Sequence, residues 1–354
     1  MKFLKCLAFA SLAVAAPVLD ARDSTHLDVQ LEKRGSSKMK AIVRNFGSSD
    51  IIVLKTGTIL DRGSVEKVRV TSGVEGNVPF EGIRVAISHE NLSKKAFVRV
   101  PAGGSVENEF DIAEIHDLSQ GGYFDIRAVG TFRHARDDYK TIAGVIPYHS
   151  NQVRAFVDGR EASETYATYR IKREVKRSKI SGCAGDQFTA AQNALAGCAK
   201  QAQAAYGAAM NGSDAKMVEY FKRSDQTTRN TVARVYQAMA SECGTADSGE
   251  TGYSCTDIDN YCDESGATAY AEVNVGVTVY CSPYWTTPAV STECHGIGDQ
   301  AGITVHEMSH LAQIKGTDDY DGYGYEFVRS LTAEQNINHA DTYMLFANAI
   351  QVGC

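Results

Sequence analysis

Residues 306–310 read His-Glu-Met-Ser-His. Histidines four apart lie on one face of a helix, so His306 and His310 can bind one metal ion together. Glu307 stands beside the first of them, close enough to hold a proton over a water at the metal. Two imidazole ligands, a polarised water and a base suffice for metal-assisted hydrolysis of a peptide bond. A helix carrying such a set must pack deep in a domain, and Ile303, Val305, Met308, Leu311, Ala312 and Ile314 supply the apolar surface. Gly316 is expected to end that helix.

A catalytic zinc takes three protein ligands and keeps one position open. The continuation HExxHxxGxxH is excluded, because Gln313 and Gly316 occupy its glycine and third-histidine positions. A glutamate from a later helix remains available at Glu326 or Glu334. The aspartates Asp318, Asp319 and Asp321, in the segment 316–324, are closer and preferred.

The elements that must position these groups fall into two parts of the 354-residue chain. Residues 1–15 have the pattern of a secretory signal: Lys2 and Lys5, an apolar stretch from Leu7, and small residues at Ala13-Val14-Ala15. No later segment is apolar enough to span a bilayer, so a secreted, soluble protein with no membrane partner is expected. Cys6 leaves with the signal. The remaining cysteines are Cys183, Cys198, Cys243, Cys255, Cys262, Cys281, Cys294 and Cys354, all in the second half. In an oxidising compartment and without paired CxxC knuckles, they predict four disulfides rather than a cysteine-ligated zinc.

Lys176-Arg177 lies where the composition changes, and is expected to be a processing site for a secretory-pathway endoprotease. Lys33-Arg34 is a second candidate; Lys222-Arg223 is a third, expected to be protected within a helical stretch. Cleavage after Arg177 separates a pro-region, 16–177, from a catalytic domain, 178–354. The catalytic domain carries 9 Lys/Arg against 21 Asp/Glu, a net of −12, whereas residues 17–177 carry 25 against 22, a net of +3. A basic pro-region over an acidic enzyme suits a folding partner or temporary inhibitor, and the acidity favours cationic polypeptide substrates.

Residues 38–157 predict an all-β, sandwich-like module, with strands at 41–43, 51–54, 65–70, 83–87, 96–100, 123–132 and 153–157. His89, His116, His134 and His149 lack metal-ligand spacing. From Asp186 the pattern becomes helical: one helix to about Asn211-Gly212, then two more capped by Ser213 and Asp225. Residues 268–281 predict strand, turn, strand, with an edge where extended substrate can dock. Thr332 and Gln335 predict a capping box opening a last helix to about Ile350. The fold class is therefore a β-rich pro-region followed by a mainly α, zincin-like α+β domain with a small sheet.

The segment Gly316-Thr317-Asp318-Asp319 through Tyr323-Gly324, following the HExxH, resembles the signature of the deuterolysin family of fungal zinc endopeptidases, HExxH then GTxDxxYG. So do Glu219–Lys222, Ser224–Arg229, Ala340–Tyr343 and Phe346–Ile350, and the pre-pro layout with a basic-pair boundary. The resemblance implies one zinc held by His306, His310 and Asp319, with Glu307 as general base and Tyr323 as the donor to the oxyanion. It places Asp341 near the site, orienting a ligand or binding a basic side chain, whereas His339 is not expected to be a ligand. It implies the disulfides Cys183–Cys255, Cys262–Cys281 and Cys294–Cys354, which leaves Cys198 and Cys243 to pair with each other. Three residues separate Asp319 from Tyr323 where the family has two, so Tyr320 competes for the tyrosine's role. Met344, three residues after Asp341, replaces an acidic residue of lysine-selective relatives. The expected partners are protein or peptide substrates and the chain's own pro-region, with no nucleic acid and a monomeric state. The competing expectation is a secreted, disulfide-stapled binding protein with a non-catalytic metal site.

Overall fold

Short β-branched runs in the first half pair into three antiparallel sheets in this computed structural model, which describes residues 26–73, 76–87, 92–172, 179–245, 249–296, 298–320 and 322–354. The signal segment, His89, Lys176, Arg177 and Asp321 lie outside the described residues. Strands β1 (Leu27–Lys33), β2 (Lys38–Asn45) and, much later, β8 (Ser105–Asp111) form one sheet in the order β1-β2-β8. A second combines β3 (Ile51–Leu54), β7 (Phe97–Val100), β10 (Val129–Ala135) and β11 (Ile142–His149), ordered β11-β10-β3-β7. The third holds β4 (Arg69–Ser72), β5 (Gly76–Asn77), β9 (Gly122–Arg127) and β12 (Val153–Val157), ordered β12-β9-β4-β5. Their inward residues, among them Val29, Val43, Val53, Val70 and Phe132, share one core, which Ala162 of α1 (Gly159–Lys172) joins.

Several expectations are corrected here. The run 123–132 is two strands in different sheets, broken at Ala128. The run at 65–70 is strand only from Arg69, Val65 making an isolated bridge to Ile83. Strands β1, β8 and β11 and helix α1 had not been expected. The main difference concerns β6 (Ile83–Ile87), which leaves the first half's sheets altogether.

The second half is built on helices. α2 (Asp186–Asn211) packs along α4 (Gln226–Gly244), and Cys198–Cys243 bridges them. Between them α3 (Asp214–Phe221) is capped by Ser213, as Asp225 caps α4, each accepting a backbone N–H. Lys222 is the left-handed cap that ends α3, so the Lys222-Arg223 pair sits between helices and not inside one. A five-stranded sheet follows, with β13 (Ile180–Ser181), β14 (Gly252–Ser254), β15 (Ala267–Glu272) and β16 (Val277–Tyr280), in the order β13-β14-β16-β15-β6. Short α5 (Cys262–Ser265) precedes β15.

Helix α6 (Gln300–His310) carries the HExxH, and all eleven of its residues are buried. It ends at His310, well before Gly316. The capping box at Thr332 opens only α8 (Ala333–Asn336), after α7 (Tyr325–Ser330); the last helix, α9 (Ala340–Val352), is separate. Packed aromatic rings of Tyr220, Phe221, Tyr236, Tyr343 and Phe346 fill the space between α3, α4 and α9. The other disulfides are Cys183–Cys255, Cys262–Cys281 and Cys294–Cys354.

Candidate metal centre

Burying all of α6 requires partners for its polar side chains, and where those partners lie defines the site. Asp299 opens the helix by accepting the Gly302 N–H at 2.5 Å. The Thr304 hydroxyl donates to the Gln300 carbonyl, and that of Ser309 to the His306 carbonyl. After Leu311 the chain turns back at once: Gly316, at φ +69°, donates to the Leu311 carbonyl and Thr317 to that of Ser309. Asp318 then bridges to His339, its N–H donating to the Asn338 carbonyl while Ala340 donates to its own carbonyl. That return brings residues 317–319 against α6 and places Asp341, in the first turn of α9, beside them.

Both histidines are set to offer Nε2. Nδ1 of His306 lies 2.8 Å from Asp341 Oδ1, and Nδ1 of His310 lies 2.9 Å from the Thr317 carbonyl. Each acceptor holds a proton on Nδ1, so Nε2 is the nitrogen that offers a lone pair once the ring is neutral. The two Nε2 atoms are 3.2 Å apart, and Asp319 Oδ1 is 3.4 Å from each. Ligands about 2.0–2.2 Å from a tetrahedral ion stand about 3.3–3.5 Å apart, so this triangle has the size of a zinc face. Asp319 Oδ1 has no hydrogen-bond partner among the described residues. The donor set and its unmet oxygen fit zinc.

The neighbouring candidates go elsewhere. Asp318 faces Arg84 at 3.4 Å. Glu326 is exposed, and the exposed Glu334 pairs with Arg223. Tyr320 absorbs the extra loop residue by adopting φ +49°; its hydroxyl accepts from Asn338 Nδ2 and stays out of the triangle. Tyr323 turns inward, its hydroxyl 3.5 Å from Asp319 Oδ2 and donating at 2.6 Å to the Val85 carbonyl. Asp341 Oδ2 accepts the N–H of Gly324, whose φ of +84° only a glycine adopts readily. Met344 is buried against Gly298.

Glu307 is fully buried, and neither carboxylate oxygen has a partner among the described residues. Burial, reinforced by the charges of Asp319 and Asp341 against that of His306, raises its pKa to about 8. For His306 burial acts against the charge, but the Asp341 hydrogen bond and the surrounding carboxylates carry it up to about 9. Burial also acts against Asp319, yet the imidazoles of His310 and His306 hold it well below the usual carboxylate range.

Both ring nitrogens of His339 face partners other than the triangle, and its position matters. Its Nε2 donates to the carbonyls of Asp319 and Gly322, at 3.2 and 3.1 Å, and fixes the loop that carries the aspartate. Burial keeps its pKa below the ordinary value and the ring neutral. Sequence reasoning gave His339 no role and missed Thr317 as the acceptor for His310. The glycine-threonine preceding the aspartates was the available sign for Thr317; nothing local marks His339.

The family profile described as "Deuterolysin metalloprotease (M35) family" matches residues 3–354. A neutral protease 2 homolog of Colletotrichum graminicola is 46% identical over 98% of this chain and 97% of its own length. Neutral protease 2 of Aspergillus oryzae is 37% identical, again over 98% and 97%. Among solved structures, a zinc peptidase from Grifola frondosa aligns at TM-score 0.40 and 24% identity, covering 47% of this chain and 96% of that one.

Proposed function

The chain belongs to the deuterolysin metalloprotease family and is a zinc metallopeptidase. From that premise we propose a secreted endopeptidase, made as a precursor, in which His306, His310 and Asp319 hold one zinc and Glu307 moves the protons. The observation that carries this reading is the 3.2–3.4 Å triangle of Nε2, Nε2 and Oδ1, with both histidines' Nδ1 atoms engaged elsewhere.

Zinc, when bound, polarises the substrate carbonyl and acidifies a water. Glu307 takes the water's proton and returns it to the leaving amine; its burial favours the protonated form that the second transfer needs. Tyr323 offers its hydroxyl to the oxyanion. Asp341 orients His306 and, through the Gly324 N–H, the loop bearing Tyr323. Its near-complete burial favours this positioning role over contact with a substrate side chain.

Four disulfides and the basic-apolar N-terminus support secretion, and Lys176-Arg177 at the composition boundary supports processing into 16–177 and 178–354. The net charge of −12 on residues 178–354 supports a preference for basic proteins. A non-catalytic binding protein is disfavoured by an intact Glu307, which no structural metal site requires. The test is to secrete the full precursor, purify the processed form and strip it with a chelator. Loss of histone cleavage, restored by one equivalent of zinc and with a matched acidic protein cut more slowly, is expected. Histone left intact both before stripping and after zinc would overturn the reading.

A further inference from the structure

Strand β6 belongs by sequence to the expected pro-region, yet it forms the outer strand of the sheet beside α6. It pairs antiparallel with β15, Tyr270 opposite Val85 and Ala271 opposite Arg84. The edge at which an extended peptide should dock is therefore already taken by the chain itself.

Side chains and backbone of β6 also engage the groups a substrate would need. The Val85 carbonyl accepts the hydroxyl of Tyr323, the same hydroxyl assigned to the oxyanion. Arg84, largely buried, reaches Glu66 at 2.6 Å and Asp318 at 3.4 Å, one residue from the ligand Asp319. Arg133, also of the first half, lies 5.6 Å over the Tyr323 ring. A cavity of about 110 Å³ between the halves reaches Asp319 and Tyr323 but is lined on its other side by Arg84, Val85 and Arg133. The catalytic set itself is closed to solvent: Glu307 and His310 are 0% exposed and His306 2%. An endopeptidase has to admit a folded or extended polypeptide, and this arrangement admits none.

The contacts beyond β6 hold the first half in place without entering the site. Thr56 donates to the Ser265 carbonyl at 2.7 Å, Tyr261 to Asp61 at 2.5 Å, and Val273 N–H to the Gly82 carbonyl at 3.1 Å.

We infer that β6 keeps the precursor inactive by standing where substrate stands: its backbone completes β15, its Val85 carbonyl occupies the Tyr323 hydroxyl, and Arg84 occupies Asp318. This rests on the peptidase reading above. Release of 16–177 exposes the β15 edge, the tyrosine hydroxyl and an acidic position suited to a cationic substrate side chain. The blockade is non-covalent: 16–177 contains no cysteine, and among its described residues none joins His306, His310 and Asp319.

The test uses the full chain made uncleavable by Lys176→Ala and Arg177→Ala, beside the processed enzyme. In the uncleavable chain Arg84→Ala removes the cation, and Arg84→Glu sets a like charge against Glu66 and Asp318. A quenched fluorescent peptide rich in lysine reports cleavage. Zinc content and hydrogen exchange of the segment 267–272 are measured on the same samples. The uncleavable parent is expected at or below about 1% of the processed activity; both Arg84 variants should gain at least about tenfold, Arg84→Glu more, with zinc unchanged and exchange in 267–272 faster. An uncleavable parent as active as the processed enzyme would overturn the inference. So would faster exchange in 267–272 with no gain in activity. If the processed enzyme itself fails to cleave, the peptidase reading falls instead, and the exchange data still report whether β6 holds β15.

Discussion

Glu307 and His306 are ionisable groups enclosed in a protein interior, and metal binding must change their protonation. Without metal, Glu307 at about 8 and His306 at about 9 both hold their protons at neutral pH. The His306 Nε2 proton has to leave before a metal can bind there, and the ion's charge draws the Glu307 proton off too. Affinity for zinc should therefore rise as pH goes from 6 to 8, with about 1–2 protons released per ion at pH 7. Titration calorimetry in buffers of different ionisation enthalpy measures that number; an affinity flat across this range, with no proton released, would contradict the assignment. At this scale the sequence was most legible. A helix period puts 306 and 310 on one face whatever the tertiary setting, and their Nε2 atoms do lie together, with Asp319 Oδ1 3.4 Å from each. The extra loop residue was not legible, because a left-handed turn at Tyr320 could have been taken up at any position from 320 to 322.

At the scale of elements, what lets α6 present an HExxH from the interior is the packing of α2, α4 and α9 around it. α2 and α4 have one covalent link, Cys198–Cys243, spanning 45 residues. The chain-entropy account assigns such a bridge about 2–4 kcal/mol. Replacing both cysteines by alanine should lower the unfolding midpoint of the processed enzyme by several degrees in a calorimetric scan, with peptide cleavage at 25 °C and zinc content kept; an unchanged midpoint would show the helix pair is held by packing alone. Caps at Ser213 and Asp225 could be read from sequence because an N-cap is a local bond. The end of α6 could not. Gly316 is a sound stop signal, but the chain leaves the helix earlier because Thr317 must return to Ser309 and His310, a demand set by the site. The same holds for Thr332, whose capping box formed as expected yet opens a helix of four residues before the Asp318–His339 bridge interrupts it.

For the whole molecule, the contrast between a cysteine-free half and a cysteine-rich half was legible from composition, and the structure is mixed α/β, with one core cluster in each half and a third, of Val65, Ile83 and Val85 with Tyr270, Val277 and Val279, shared between them. The transfer of β6 to the other half's sheet was not. Residues 83–87 look like any alternating strand, and nothing local distinguishes a partner 185 residues away from one in the next hairpin. Charge asymmetry gave only a hint, that a mildly basic half would lie over an acidic one. The claim on which all three scales converge is that Glu307 moves protons at a zinc it does not ligate. The most direct measurement is zinc content and peptide cleavage on one preparation each of processed wild type and Glu307→Gln. The account predicts one zinc in both and a kcat/KM lower by about 10²–10⁴-fold in the variant. Equal zinc with equal activity would contradict it.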